Sequence, residues 1–557
     1  MSLLDRDHYH LFAFQPASQK WLRLTRGEWD DLHPAISPDS RWVAFTSNRE
    51  GYWDLYLLST ESGELVPLTR SPQYEGAPTW SPDGRWIAHE GYVIDPQTQQ
   101  GNLEILLQEV NLPQNPQQQT LQLTTQSGAD FAPQWSPRGR QIAFISQRAG
   151  ENDLWIADLD RIEGRYRNLS TYTSASVRSL SWSDGGRWLL WSLNDEGVQW
   201  IYRWDTLSPW TPPRKVIPGS QPIVSEDGKI LYSVLSTPHH FYLQAFSLEE
   251  SRHLLPLILL SSEPQGITWV PKDFPQGREA IFESLPSLME IFPQEVQSVP
   301  DRPITPTRKL LKPLEGVQVP FPYLHEEVIG SFQALREAIK LRAGWDFLSR
   351  LENAYLPISN PSFPSSSEEW LYTGRAIVLD SAAMNADWLI AIQEEFGVQT
   401  YWRLYLKTRY QDGTQGMPLR DLPFDLNARY SGDPIAYEQG GARKNFAPSG
   451  YWIDLTELAR RYGWERLPAL PSWRTALVTA RHLLFLHRDH LDWYSAMLEL
   501  YPVEALYTAT PVPSPTLTPT RTRVPTRTPA LTLTLRPTIT LRATATPPYS
   551  PTFSVTP

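Results

Sequence analysis

Ala77-Pro78-Thr79-Trp80-Ser81-Pro82-Asp83-Gly84-Arg85-Trp86-Ile87-Ala88 is the stretch on which the reading of this chain turns. It recurs upstream as His33-Pro34-Ala35-Ile36-Ser37-Pro38-Asp39-Ser40-Arg41-Trp42-Val43-Ala44-Phe45. Downstream it returns as Ala132-Pro133-Gln134-Trp135-Ser136-Pro137-Arg138-Gly139-Arg140-Gln141-Ile142-Ala143-Phe144, and again as Leu180-Ser181-Trp182-Ser183-Asp184-Gly185-Gly186-Arg187-Trp188-Leu189. A worn copy is Ile223-Val224-Ser225-Glu226-Asp227-Gly228-Lys229-Ile230-Leu231, and a remnant is Gly266-Ile267-Thr268-Trp269-Val270-Pro271. The shared serines, from Ser37 to Ser225, stand 44, 55, 47 and 42 residues apart. Each phrase reads as strand, turn, strand. Pro presets φ, Asp bonds nearby backbone and Gly accepts positive φ. Trp42 and Ala44 alternate with Val43 and Phe45, the period of a strand.

Two further strands complete each unit, for example Asp54-Leu55-Tyr56-Leu57-Leu58 and Val66-Pro67-Leu68-Thr69. Four strands in roughly 45 residues make one blade of a β-propeller. Five units and the remnant at Trp269 predict a six-bladed all-β propeller. It closes if Tyr9–Phe14 and Trp21–Thr25 give outer strands to the blade containing Trp269, which removes the last open sheet edge. The phrase, followed by a strand ending in Leu-Thr, resembles the TolB-like (WD40-like, PD40-type) propellers over roughly residues 9–275. The resemblance implies docking of peptides or proteins at a rim or central channel, or capping of an attached enzyme. The repeated Trp and Asp residues themselves read as core and turn residues and carry no site.

Outward from the repeats, residues 276–324 read as a Pro-rich linker, with a short helix expected from Glu279 to Leu285, stopped by Pro286. Residues 325–507 read as an α+β domain. Its expected helices are Ser331–Ala343, with Phe332, Leu335, Ile339 and Leu341 on or near one face, then Leu455–Tyr462, Ser472–His487 and Leu491–Tyr501. Strands are expected at Thr400–Lys407 and Tyr451–Asp454. Residues 508–557 hold 16 Thr, 11 Pro, five Arg and no acid, a composition that cannot form a core and reads as disordered.

Around Gly374 and Ala376, and again at Tyr462-Gly463-Trp464 and Pro471-Ser472-Trp473-Arg474, the second domain resembles zinc D-Ala-D-Ala carboxypeptidases of the VanY kind. The resemblance is broken at the metal. Leu371 and Val378 stand at the first His and the Asp, and Arg474 at the last His. Leucine and valine offer a metal no lone pair. The resemblance implies a degenerate, peptidase-like domain that recognises cell-wall peptide. Neither a metal nor another cofactor is expected. His482, His487 and His490 lack the i, i+4 spacing of a zinc helix and read as a solvated helix end.

Candidate binding residues are Tyr372 and Arg375 beside that frame, Trp473, and a long polar loop carrying Tyr430, Asp433, Tyr437, Glu438 and Arg443. No Gly-x-Ser-x-Gly elbow occurs, as a prolyl oligopeptidase type would need. The function expected is therefore non-catalytic binding of a protein or peptide; a hydrolase with a non-standard active site is the alternative.

The formal net charge of −11 argues against a nucleic-acid partner, since phosphate affinity needs a basic surface. No Cys is present, which removes disulfides and thiol chemistry. No run of about 18 apolar residues predicts a transmembrane helix. The Thr/Pro tail resembles cell-surface spacers, whereas Met1–His10 lacks the apolar core of a leader. The cell envelope is the expected location, with the cytoplasm as the alternative.

Overall fold

The computed structural model describes residues 1–16, 18–110, 119–170, 176–270, 281–285, 306–359 and 369–506. Contacts gather Met1–Val503 into one compact unit. No helix among the described residues is long and apolar enough to cross a membrane. The Thr/Pro tail from Thr508 lies outside the described residues.

The first part is a β-propeller built from antiparallel sheets. Sheet 1 comprises Ser2–Asp5, His8–Gln15, Lys20–Arg23 and Glu283–Leu285; sheet 2 comprises Asp31–Ile36, Trp42–Ser47, Asp54–Ser59 and Leu65–Pro67. Sheet 3 begins with Glu75–Trp80, sheet 4 with Asp130–Trp135, sheet 5 with Val177–Trp182 and sheet 6 with Ser220–Val224. Alternation along each strand serves two neighbours. Val43 and Phe45 pack with Leu11 of sheet 1, while Ala44, between them, packs with Trp80 and Ile87 of sheet 3. The last sheet meets the first through Leu3, Phe12 and Trp21 against Tyr232, Leu243 and Leu260, so these two sheets shield each other's apolar faces from water.

The repeated phrase folds as one hydrogen-bonded turn. Ser37 Oγ donates to Asp39 Oδ1 at 2.6 Å and accepts from Trp42 N at 2.9 Å. Ser81 does the same with Asp83 and Trp86, at 2.6 and 2.9 Å, and Ser225 with Asp227 and Ile230, at 2.6 and 3.0 Å. The serine hydroxyl holds the carboxyls of Asp83 and Asp227 below the usual carboxylate range. Trp80 and Trp182 each send Nε1–H to the same position one sheet back, Ala35 O at 3.1 Å and Gln134 O at 3.0 Å. Trp135 instead bonds Gly139 O in its own turn.

A β-bulge interrupts the first strand of sheets 2 to 6. Four bulges carry a residue at positive φ directly before proline: His33 (51°), Ala77 (48°), Ala132 (51°) and Gln221 (49°). Three of these amides are held by the preceding sheet: Ala77 N by Thr46 Oγ1 at 3.0 Å, Ala132 N by Glu90 Oε1 at 2.7 Å and Gln221 N by Ser179 Oγ at 2.9 Å. Sheet 5 departs from the rule. Leu180 replaces the proline, and the bulge falls on Arg178.

Closure differs from the expected arrangement. Trp269 lies outside any strand and stacks on Tyr232 with ring centroids 5.4 Å apart. Ser2–Asp5 pairs with His8–Gln15, and Glu283–Leu285 pairs with Lys20–Arg23. Glu283–Leu285, read as the end of a helix, is therefore a strand, because the edge of Lys20–Arg23 offers its backbone partners; Glu279 lies outside the described residues.

The second part carries helix Glu326–Ala343, which buries Val328, Phe332, Leu335, Ile339 and Ala343 and leaves Leu341 exposed. Its two larger sheets are Leu351–Asn353, Ala376–Leu379, Leu484–Leu486 and Glu465–Arg466, and Leu389–Phe396, Gln399–Lys407, Tyr451–Asp454 and Met417–Pro418. Helices Leu455–Arg461 and Trp493–Leu500 stand close to where the apolar pattern puts them. Ser472–His487 does not form the expected helix. Leu484–Leu486 inserts as a strand between Ala376–Leu379 and Glu465–Arg466, and burial in that sheet overrides local helix propensity.

Candidate functional site

The bulged strands converge on a cavity of about 1030 Å³, roofed by the second part. From the propeller come His33, Ala77, Ala132, Arg178, Ser181, Gln199 and Gln221. From the second part come Arg342, Arg403, Tyr405, Arg420, Asp421 and Asp454. A cavity of this size, walled by two regions, is where small-molecule and peptide sites occur.

The seam that closes it is polar and specific. Trp53 Nε1 donates to Gly416 O at 2.8 Å, and Gly450 N donates to Tyr92 OH at 2.7 Å. Tyr451 is fully buried within the propeller's cluster and donates to Gln73 Oε1 at 3.1 Å. Gly397 N meets Gly197 O at 2.7 Å, and a Cβ on Gly197 would stand 2.0 Å from Gly397 O.

Arg420 reaches from the second part to the propeller. Its Nη2 donates to Glu90 Oε2 and to Tyr74 OH, both at 2.7 Å, and its carbonyl accepts from Gln147 Nε2 at 2.8 Å. Glu90 sits where sheet 2 has Thr46, both capping the next bulge amide, so a departure from the repeat provides the anchor. Burial and the nearby Arg420 hold His33 well below the usual imidazole range, which keeps it neutral.

A second network lies beside Arg403. Its Nε donates to Asp454 at 2.8 Å, and its Nη1 reaches Glu394 and Glu263, both at 3.3 Å. Burial opposes the charge on Glu394, but Arg466, Arg403 and Arg178 outweigh it and hold the carboxyl at about 2. Arg178 itself makes no hydrogen bond or ion pair with a described residue. Burial opposes its charge; Asp421, Glu394 and Glu263 more than restore it. Among the described residues Asp421 accepts only from Tyr405 OH, at 3.5 Å.

No family model matches this chain, and no curated protein matches it. Among solved structures, TolB from Acinetobacter baumannii is similar over 46% of this chain and 61% of its own length, at 19% identity and a TM-score of 0.39. The chain thus spans under two thirds of that protein. A putative TolB from Agrobacterium tumefaciens is similar over 47% of this chain and 93% of its own, at 18% identity and a TM-score of 0.38. A structure from an analysis of two prolyl endopeptidases is similar over 47% and 48%, at 16% identity and a TM-score of 0.34. The functional reading rests on the site's own geometry.

The residues singled out from sequence fall into two groups, and neither lines the cavity. Arg375 is 1% exposed and forks onto Glu499 at 2.8 and 3.3 Å. Trp473 is buried against Trp402 and Phe424. Both are held inside the fold, because a guanidinium or indole at these positions completes a core and leaves no surface to offer. Tyr372 is partly buried beside Leu371 and Trp370. Tyr430, Tyr437, Glu438 and Arg443 are exposed on one segment, where Asp433 caps the short helix Pro434–Gln439 through Ile435 N at 2.9 Å.

Leu371 is buried and Val378 pairs with Leu484. Among the described residues no group of three His, Asp or Glu is placed to hold a metal. His482 and His487 flank the strand Leu484–Leu486 rather than a helix, and burial lowers His482 to about 4. Sequence reasoning missed Arg178, Arg420 and Asp421. The available signal was the broken repeat, Leu180 for Pro and Glu90 for Thr46.

Proposed function

We propose that this chain is a non-catalytic binding protein whose ligand, a peptide or a peptide segment of a protein, occupies the cavity between propeller and roof. The observation that carries the reading is that cavity: about 1030 Å³, lined by both parts and holding an arginine and an aspartate that form no ion pair among the described residues. In this reading residues 1–275 are a six-bladed TolB-like propeller, 276–324 a linker, 325–507 an α+β domain derived from a VanY-type peptidase, and 508–557 a disordered spacer. The Thr/Pro composition of the spacer supports an envelope location, and cell-wall peptide is a natural ligand class for the peptidase-like frame. The exposed segment from Tyr430 to Arg443 adds a second contact surface for a larger partner.

The test is titration of the purified full chain with cell-wall stem peptides ending in D-Ala-D-Ala and with unrelated peptides, with chromatography of the products. Saturable binding without new products supports the reading. Turnover would favour the hydrolase alternative. Failure of every peptide, together with failure to retain any envelope protein on the immobilised chain, would defeat the binding reading.

A further inference from the structure

We propose that the cavity takes a short peptide with both termini free, its carboxylate on Arg178 and its ammonium on Asp421. The inference rests on the binding function proposed above and names the chemistry its ligand must carry.

Charge pairing inside the cavity leaves one group of each sign. Five arginines line it. Arg342 pairs with Asp30 at 3.4 Å, Arg403 with Asp454 at 2.8 Å, Arg420 with Glu90 at 2.7 Å and Arg461 with Glu457 at 3.7 Å. Arg178 is left. Among the lining carboxylates, Glu263 is taken by Arg403 at 3.3 Å and Glu337 by Lys340 at 3.6 Å. Asp7 is exposed at the rim. Asp421 is left, and no described cation is within ion-pair reach of it. Asp421 is close enough to favour the charge on Arg178, yet the two form no ion pair.

That arrangement discriminates among ligands. A lone anion on Arg178 would meet the field of Asp421, Glu394 and Glu263. A lone cation on Asp421 would meet Arg178. A molecule with a carboxylate at one end and an ammonium at the other satisfies both, and a guanidinium fork suits a carboxylate bidentately. Gln221 and Ser181 line the same cavity as Arg178 and Asp421. The cavity has room for several residues.

Arg178 is also where the repeat gives way. In sheets 2, 3, 4 and 6 the bulge carries an x-Pro pair whose first residue is at positive φ; only in sheet 5 does it carry an arginine. A side chain needed solely to build a propeller blade would have no reason to differ there.

The experiment is calorimetric titration of the full chain with trialanine, N-acetyl-trialanine and trialanine amide. Each cap weakens binding by about tenfold or more, as expected for loss of a charge-assisted contact. Arg178→Gln removes the penalty for amidation and keeps that for acetylation; Asp421→Asn does the reverse. Arg178→Lys keeps the preference for a free carboxylate, which separates a charge role from a folding defect. Equal binding of all three peptides, or cap penalties that persist in the variants, overturns the inference and leaves the binding function standing. The same holds if none of the three binds while another ligand does. Absence of any ligand at all overturns both.

Discussion

The two ends of the propeller's inner strands obey different rules. At the turn end, Ser37, Ser81 and Ser225 make the same pair of hydrogen bonds to an Asp and to the first amide of the next strand. At the cavity end, the sheets diverge: Thr46 becomes Glu90, and the x-Pro bulge of four sheets becomes Arg178 in sheet 5. Repetition marks the turn that several blades share. Its failure marks where this molecule does something only one blade can do.

The largest effect is expected where the broken repeat meets the second part. Arg420→Ala leaves the carboxylate of Glu90, 1% exposed, without its cation, and should lower unfolding stability by about 3 kcal/mol in denaturant titration. A loss no greater than that of a turn serine would remove the anchor role assigned to the departure at Glu90.

The next effect separates a buried carboxylate in the Arg403 network from one inside a blade. Arginines hold Glu394 at about 2. Among the described residues Glu104 in sheet 3 has only Thr124 and Asn102 as hydrogen-bonding side-chain partners, and burial pushes it to about 8. The folded state therefore keeps a proton that the unfolded state loses above its ordinary value of 4.5. Stability should fall as pH rises from about 4.5 towards 8, with a slope on the order of 1 kcal/mol per pH unit from this group. Glu104→Gln should flatten that decline in pH-dependent melting.

Smaller and more uniform effects belong to the turn end. Ser37→Ala, Ser81→Ala and Ser225→Ala should each cost about 1 kcal/mol, equal within error because their geometry is equal. Unequal losses would mean that the shared hydrogen bonds do not carry the repeat. Smallest of all, Ala77→Gly and Ala132→Gly, at φ of 48° and 51°, should be neutral or stabilising by about 0.5 kcal/mol in thermal melting, since glycine adopts positive φ without a Cβ clash.

The propeller was legible because its signal is local: one turn, its flanking alternation and a spacing that repeats. Closure was legible only in outline. Nothing in Glu283–Leu285 announces a strand until the edge of Lys20–Arg23 is in place. The cavity was harder, because Arg178, Arg420 and Asp421 meet across more than 200 residues of chain and none belongs to a motif. Arg375 stood out in sequence for its place beside Gly374. Its partner Glu499 lies 124 residues away, and only folding shows the pair to be interior. The strand Leu484–Leu486 fails as a helix for the same reason: sheet partners from two distant segments outweigh local preference.

Hydrogen–deuterium exchange of the full chain with and without saturating trialanine tests the cavity most directly. Slowed exchange should appear at residues 177–181, 220–223 and 417–421, where bulges and roof face one another. Slowing confined to residues 430–443, or spread along the turns around Ser37, Ser81 and Ser225, would place the ligand elsewhere and contradict the account.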